Sequence, residues 1–323
     1  MTLPLRHARR LKPTWDVLKT VSLAAVRREA EAPLLAVVVG SPQCRTELLS
    51  ELFPEGVPAG TPGILLDDTL SVPPPSGINF VLDAGGAPPA EFEGVRVYRV
   101  EEIGDIATTL ERVLDDQPHL ALALARHFPA YRQIVCDRII RDTANANAEF
   151  AMINALPSLA PLLGLLIPTA AVSDMLMLAK NQAFMLYRLA AAHGLPLDMK
   201  SRSRDLAPLL GNAFGWRAVA REVVGFVPGG VGLVARGAIA YSGTMALGRA
   251  LDRAYRRRTP VSSADIRRYY AESARVSKTA VKQIAARLPL LSRALGDTKT
   301  RQSVEFRIER TEAPPEAEAK TEP

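Results

Sequence analysis

The sequence predicts an α/β unit followed by a larger all-α unit, and three observations carry that reading. The first third holds short apolar runs rich in β-branched residues, Leu34 to Val39 and Ile78 to Asp83, set between turn-rich segments. Such runs read as buried strands. From Glu101 onward helical periodicity takes over. Within that part, 144–192 is apolar on most sides and carries no charge from Phe150 to Ser173. A helix apolar all round must be enclosed by protein or by lipid.

Composition sets the bounds. At 323 residues, 48% apolar and 23% charged, the chain can bury a large core in one or two domains. The net charge of +6 is spread along the chain. It suits an anionic surface, lipid headgroups or RNA without selecting among them. Cys44 and Cys136 are the only cysteines, so no disulfide framework is expected and a reducing, cytoplasmic compartment fits. The basic start lacks a following apolar run, so no secretory signal is expected.

Taken in order, 1–31 is a basic arm and a lead helix capped by Thr14, with Trp15, Leu18 and Val21 on one side. That helix either packs on the domain behind it or lies on a membrane. An α/β domain over 32–116 follows. Its first strand ends at Gly40, a helix runs from about Arg45 to Phe53, and Ile64-Leu65-Leu66 forms a short edge strand. The strand ending at Asp83 precedes one over Val95 to Val100, which alternates and belongs at an edge. The link between these two is too short for a full helical crossover, so the sheet is small. Helices begin at Pro118 and Pro129, and the helical domain covers 117–295. Pro157, Pro161 and Pro168 break its apolar centre, Ser173 is placed to cap the next helix, and Gly194-Leu195-Pro196 ends it. Asp174 then reads as a first-turn acid. That helix carries one polar belt, Lys180-Asn181-Gln182. In the second apolar region, Ala240, Thr244 and Gly248 recur every four residues, which permits close helix approach. Ser262-x-x-Asp265 opens a last amphipathic helix as in a capping box, and 296–323 reads as a disordered tail.

Strand, glycine turn and helix at Gly40 is where a phosphate-binding loop belongs. Such a loop reads G-x-x-x-x-G-K-[ST], its amides cradling phosphate and its lysine neutralising it. In register, Arg45 replaces the glycine, Thr46 the lysine and Glu47 the hydroxyl residue. In a loop one residue shorter, Arg45-Thr46 stands in for Lys-Ser/Thr, and Pro42 removes an amide donor. Asp83-Ala-Gly-Gly86 matches the D-x-x-G of GTP-binding domains and equally matches plain turn chemistry. No guanine-reading Asn-Lys-x-Asp follows Val100. Gly230-x-Gly232-x-x-Ala235 fits a dinucleotide fingerprint only superficially and reads as a turn between helices. His7, His119, His127 and His193 form no metal-ligand spacing with one another or with the cysteines. No nucleophile elbow or paired-carboxylate motif is visible, and no catalytic residue is assigned. Arg249, Arg253, Arg256, Arg257 and Arg258 make a basic patch suited to headgroups or a partner. Tyr269 and Tyr270 lie beside arginines and can pack or stack on bases.

Residues 126–258 resemble the YcjF-like, GTPase-associated domain of unknown function found in bacterial proteins. The resemblance rests on ARHFPAYRQIVCDRIIRDTANANAEFAMINALP (125–157), SDMLMLAKNQAFMLYRLAAAHG (173–194) and GFVPGGVGLVARGAIAYSGTMALGRAL (225–251). The N-terminal part resembles the GTP-binding half of such proteins but departs at Arg45, Thr46 and Glu47. The resemblance implies a degenerate P-loop-like domain joined to a membrane-associated helical domain with apolar hairpins. The expected function is a non-catalytic interaction or regulatory protein, with membrane lipid or a membrane protein as partner. A partner GTPase and self-association are also implied, and no cofactor. The alternative is an active, divergent GTPase using GTP and magnesium through Gly40, Arg45, Thr46, Asp83 and Gly86. RNA binding through the arginine helices comes third.

Overall fold

The computed structural model describes residues 23–57, 64–66, 77–85, 92, 94–101, 104, 106–154, 170–198, 201–202, 205 and 231–287. The expectations for the basic arm and Trp15, for Gly86, for the three prolines between 155 and 169, and for the tail lie outside these residues.

Eight helices and one small sheet form the described fold. They are α1 (Leu23–Ala30), β1 (Ala36–Val39), α2 (Pro42–Leu52), β2 (Ile64–Leu66), β3 (Phe80–Asp83), β4 (Arg96–Arg99) and α3 (Ile106–Asp116). After a 3₁₀ turn at Pro118–Leu120 come α4 (Ala121–His127), α5 (Pro129–Ile153), α6 (Ala170–Ala192), α7 (Val231–Arg257) and α8 (Ser263–Arg287).

The sheet has the order β2-β1-β3-β4 with every pair parallel. That order is the beginning of a doubly wound sheet whose direction of winding reverses between β1 and β3. Both expected edge strands, Ile64–Leu66 and Arg96–Arg99, are at the edges. The link from β3 to β4 runs over 84–95, longer than the sequence suggested because β4 begins one residue later, at Arg96. Alternation divides the central strands between two cores. Ala36, Val38, Phe80 and Leu82 join the main core, while Val37, Val39 and Val81 meet Phe92 on the opposite face.

The main core is continuous from the sheet into the helices. Phe53, just past α2, packs on Phe128 with ring centroids 5.4 Å apart, and Phe128 meets Tyr131 of α5 edge-on at 6.1 Å. The chain boundary read near 117–130 is therefore a packed junction. Helix α1 packs on α4 and α6, burying Val26 and Ala30, and Glu29 pairs with Arg188 at 3.1 Å. Of the two readings of the lead helix, its described part takes the packed one.

Helices α5, α6 and α7 are built in layers, α5 running against the other two. Near one end Gly237 of α7 faces Met152 of α5 and Val281 of α8. Next come Asn147, Asn181, Gln182 and Thr244. Below them Gly248 faces Ile140 and Met185. The last layer joins Cys136, His193 and Asp252. The polar belt seen in the sequence is thus turned inward. Asn147, fully buried, donates to the Thr244 hydroxyl at 2.9 Å and accepts from Asn181 at 2.8 Å. A buried network of this kind is stable only when its members find partners, and it then fixes the register of the helices that carry it.

The apolar surface of α6 is enclosed by protein over its C-terminal half. Met185, Leu186, Tyr187 and Leu189 through Ala192 are at most 1% exposed. Among the described residues no helix is long and apolar enough to cross a membrane.

Several local expectations need correction. Helix α2 begins at Pro42, three residues before the expected start, because Ser41 caps it and proline suits its first turn. Helix α6 begins at Ala170 and runs through Ser173, so Ser173 is no cap and Asp174 falls beyond the first turn. It does end as expected: Gly194 takes φ +67°, and Leu195 N donates to Ala190 O at 2.9 Å. Helix α7 runs through Gly232 and Ala235, which therefore form no turn. Thr244 and Gly248 do face neighbouring helices, but Gly237 rather than Ala240 makes the second close approach. Ser262 caps α8, accepting from Ala264 N at 3.2 Å, while Asp265 turns to Arg253 and Arg268.

A Cβ on Gly248 would lie 2.8 Å from two carbons of Ile140 and 3.1 Å from Met185 Sδ. Gly248→Val should therefore lower stability by about 1–3 kcal/mol through overpacking, despite valine's better helix propensity. Urea denaturation of the two proteins measures this directly.

Candidate functional site

The carboxyl end of β1, beside the winding reversal, is where a ligand of a doubly wound sheet binds. Here the ends of β1 and β3 approach closely. Gly40 takes φ +136°, and a Cβ on it would stand 2.9 Å from the Ala84 carbonyl oxygen. Ala84 N also donates to Val39 O at 2.9 Å, so the ends of β1 and β3 touch through their backbones. Only Gly40 and Ser41 separate β1 from α2. The first turn of α2 is capped from within, since the Ser41 hydroxyl accepts from Cys44 N at 3.2 Å.

Among the candidate nucleotide residues, the polar groups of Thr46 and Asp83 are engaged within the fold. Arg45 is 9% exposed on the buried side of α2. The Thr46 hydroxyl donates to Pro42 O at 2.8 Å, and Glu47 accepts from Gln43 at 3.1 Å. Asp83 is 1% exposed; one carboxylate oxygen accepts from Gly85 N at 3.1 Å and the other pairs with Arg99 at 3.3 Å. Asp83 thereby ties β3 to β4, the turn chemistry that its sequence equally allowed. Gly86 lies outside the described residues.

The five arginines of the basic patch do not share one outward surface. Arg253 pairs with Asp265 at 3.3 Å, and Arg256 bonds both Asp252 and Gln133. Arg249 is half-buried, while Arg257 and Arg258 are exposed where α7 ends. At a rise of about 1.5 Å per residue, Arg257 is about 30 Å along α7 from Gly237, which adjoins the end of α5 through Met152. The patch therefore occupies the opposite end of the bundle from the point where the chain leaves α5 toward the charge-free stretch. Tyr269 and Tyr270 pack against the core, with the Arg268 guanidinium 4.7 Å above the Tyr269 ring.

The most concentrated chemistry is at this basic end. Cys136 on α5, Asp252 on α7 and His193, the residue after α6, converge there. His193 Nε2 lies 2.9 Å from Asp252 Oδ1 and 3.8 Å from Cys136 Sγ. All three donor atoms fall within 4.8 Å of one another. Cys136 is fully buried, and His193 and Asp252 are 6% and 7% exposed. Arg132 fixes the surrounding backbone by donating to Ala192 O at 3.0 Å and Ala125 O at 3.3 Å, the carbonyl ends of α6 and α4. Tyr255 packs edge-on against His193 at 6.1 Å and donates to Asp205 at 3.1 Å.

Burial and the adjacent Asp252 charge push the Cys136 thiol well above its ordinary range. Burial alone would also raise Asp252, but the His193 hydrogen bond and the Arg256 charge outweigh it and hold the carboxylate low. A thiol so buried is a poor nucleophile. The geometry also differs from a nucleophilic triad, in which nucleophile and orienting acid use opposite ring nitrogens. Here thiol and carboxylate both address Nε2. What the cluster can do is hold three helix ends together or bind an ion.

Nothing in the sequence drew these three together, because 57 residues separate Cys136 from His193 and 59 separate His193 from Asp252. The one available signal was Asp252, a lone acid in a helix whose other charges are all arginines. No known protein family, curated protein or solved structure matches this chain.

Gly40→Ala should destabilise the protein by about 1–3 kcal/mol, because alanine resists this φ and its methyl meets backbone at Ala84. A shifted urea midpoint with unchanged slope is the expected result.

Proposed function

We propose that this protein is a non-catalytic, membrane-associated interaction protein of the YcjF-like kind. In this reading its α/β unit is a P-loop-like sheet that has given up its nucleotide site and serves as a packed support for the helical unit. The observation that carries the loss of nucleotide binding is the two-residue Gly40–Ser41 turn into a helix already capped by Ser41. A phosphate loop needs several inward-facing amides ahead of its helix, and that length of chain is absent between β1 and α2.

The membrane part of the reading rests on the charge-free stretch from Phe150 to Ser173 and on the family resemblance. Two exposed apolar side chains near the flanks of that stretch support it: Ile153 ends α5 and Met177 is in the second turn of α6, 39% and 43% exposed. The apolar end of the bundle is thus the membrane-facing end. Arg257 and Arg258, at the far end of α7, point toward the cytoplasm and a protein partner rather than toward the same headgroups.

Flotation with vesicles containing anionic lipid tests this reading. The full chain should float. Leu166→Glu with Ile167→Glu should abolish flotation, while Arg257→Glu with Arg258→Glu should leave it nearly unchanged. A protein that never floats removes the membrane reading, and loss with the arginine variant alone reverses the orientation. Separately, millimolar GTP with magnesium should leave the thermal midpoint where it was, since binding would raise it by mass action.

A further inference from the structure

We propose that Cys136, His193 and Asp252 form a binding site for a borderline divalent transition metal of the zinc class. The proposal stands on the convergence of the three donor atoms and does not depend on the membrane reading above.

Three electron-pair donors of different elements, Sγ, Nε2 and Oδ1, point at one buried spot from α5, the turn after α6, and α7. A network of protons can also hold these groups. If Nε2 carries a hydrogen, that hydrogen satisfies Asp252 Oδ1 at 2.9 Å, the Cys136 thiol hydrogen-bonds the same carboxylate, and Sγ faces Nε2 at 3.8 Å. A cation in place of that hydrogen engages all three. With bonds of about 2.3 Å to sulfur and about 2.0 Å to nitrogen and oxygen, tetrahedral donors stand about 3.3–3.6 Å apart. The nitrogen–oxygen pair at 2.9 Å must open slightly, the sulfur–nitrogen pair at 3.8 Å must close by a similar amount, and the sulfur–oxygen pair, within 4.8 Å, must close toward about 3.5 Å.

The surroundings suit a ligated state. Arg256 occupies Asp252 Oδ2, leaving Oδ1, the oxygen already facing His193, as a single metal ligand. Outer partners of this kind orient ligating carboxylates and tune metal affinity. Arg132 anchors the carbonyl of Ala192 beside His193. On binding, the thiol proton and any proton on Nε2 pass to solvent, so uptake of one ion releases protons and strengthens as pH rises. The mixed sulfur, nitrogen and oxygen set disfavours calcium and magnesium, which take oxygen alone. Three protein ligands leave a fourth position for water. The bound ion cross-links three elements at the basic end of the bundle, so that the order of this end depends on metal.

The test uses the full chain, stripped with a chelator and titrated with Co²⁺, then Zn²⁺. One equivalent of Co²⁺ should produce thiolate-to-cobalt charge-transfer absorption with tetrahedral d–d bands, both lost when Zn²⁺ displaces it. The thermal midpoint should rise with either ion. Cys44→Ser should keep the spectrum, and Cys136→Ser should lose the charge-transfer band. Arg256→Ala should weaken binding about 10- to 100-fold while retaining it. Should Cys136→Ser fail to fold, retention of the band in Cys44→Ser still assigns the thiolate, because the chain has only these two cysteines. Folded wild-type protein that gives no charge-transfer band, or a band lost in Cys44→Ser and kept in Cys136→Ser, overturns the proposal.

Discussion

The close approach of α7 to its neighbours is the constraint on which the helical unit depends. Two glycines permit it: Gly237 leaves room for Met152 and Val281, and Gly248 for Ile140 and Met185. Once those backbones are close, the layers between them are fixed. Thr244 comes within reach of Asn147 and Gln182, and Asp252 within reach of His193. A slip of α5 by one turn, about 5.4 Å, would take the buried Asn147 away from both partners, and a slip of α7 would take away Thr244. That penalty acts on the same helices that bring Cys136 and Asp252 together, so the polar belt and the Cys-His-Asp cluster share one register.

A comparable contact shapes the sheet. Gly40 against Ala84 draws the ends of β1 and β3 together at the place where doubly wound folds open a crevice. Around it the polar groups are used internally: Ser41 caps α2, and Asp83 joins Gly85 and Arg99. This end of the sheet therefore contributes rigidity. The same strands send Val38 and Leu82 into the core that continues through Phe53 and Phe128 to the helices. The sheet and the bundle thus share one apolar core.

The bundle is polar along its length. One end presents Ile153 and Met177 beside the start of the charge-free stretch, and the other gathers Arg132, His193, Asp252 and the last arginines of α7. Helix length alone keeps these two chemistries tens of ångströms apart. At the basic end Arg256, Arg257 and Arg258 are all exposed, and Arg256 also pairs with Asp252.

Much of the scaffold was legible locally. The runs Ala36–Val39 and Phe80–Asp83 are buried strands because β-branched and apolar residues there have no polar face to offer. Pro129, Ser262 and Gly194 mark helix ends because each satisfies or removes orphaned backbone groups. Boundaries misread from sequence, at Ser41–Pro42 and at Ser173, arose where one local signal competed with another: a phosphate-loop pattern with a capped proline start, and a possible cap with uninterrupted apolar periodicity. By itself the sequence determined which segments are strand or helix and that the apolar stretch 144–192 must be enclosed by protein or by lipid. Only the tertiary structure decided what covers them, which polar residues face inward, and that a cysteine, a histidine and an aspartate far apart in the chain share one buried spot. The reason is physical: periodicity and capping are fixed within a few residues of chain, whereas the partner of a buried group depends on which helices approach one another, and how closely.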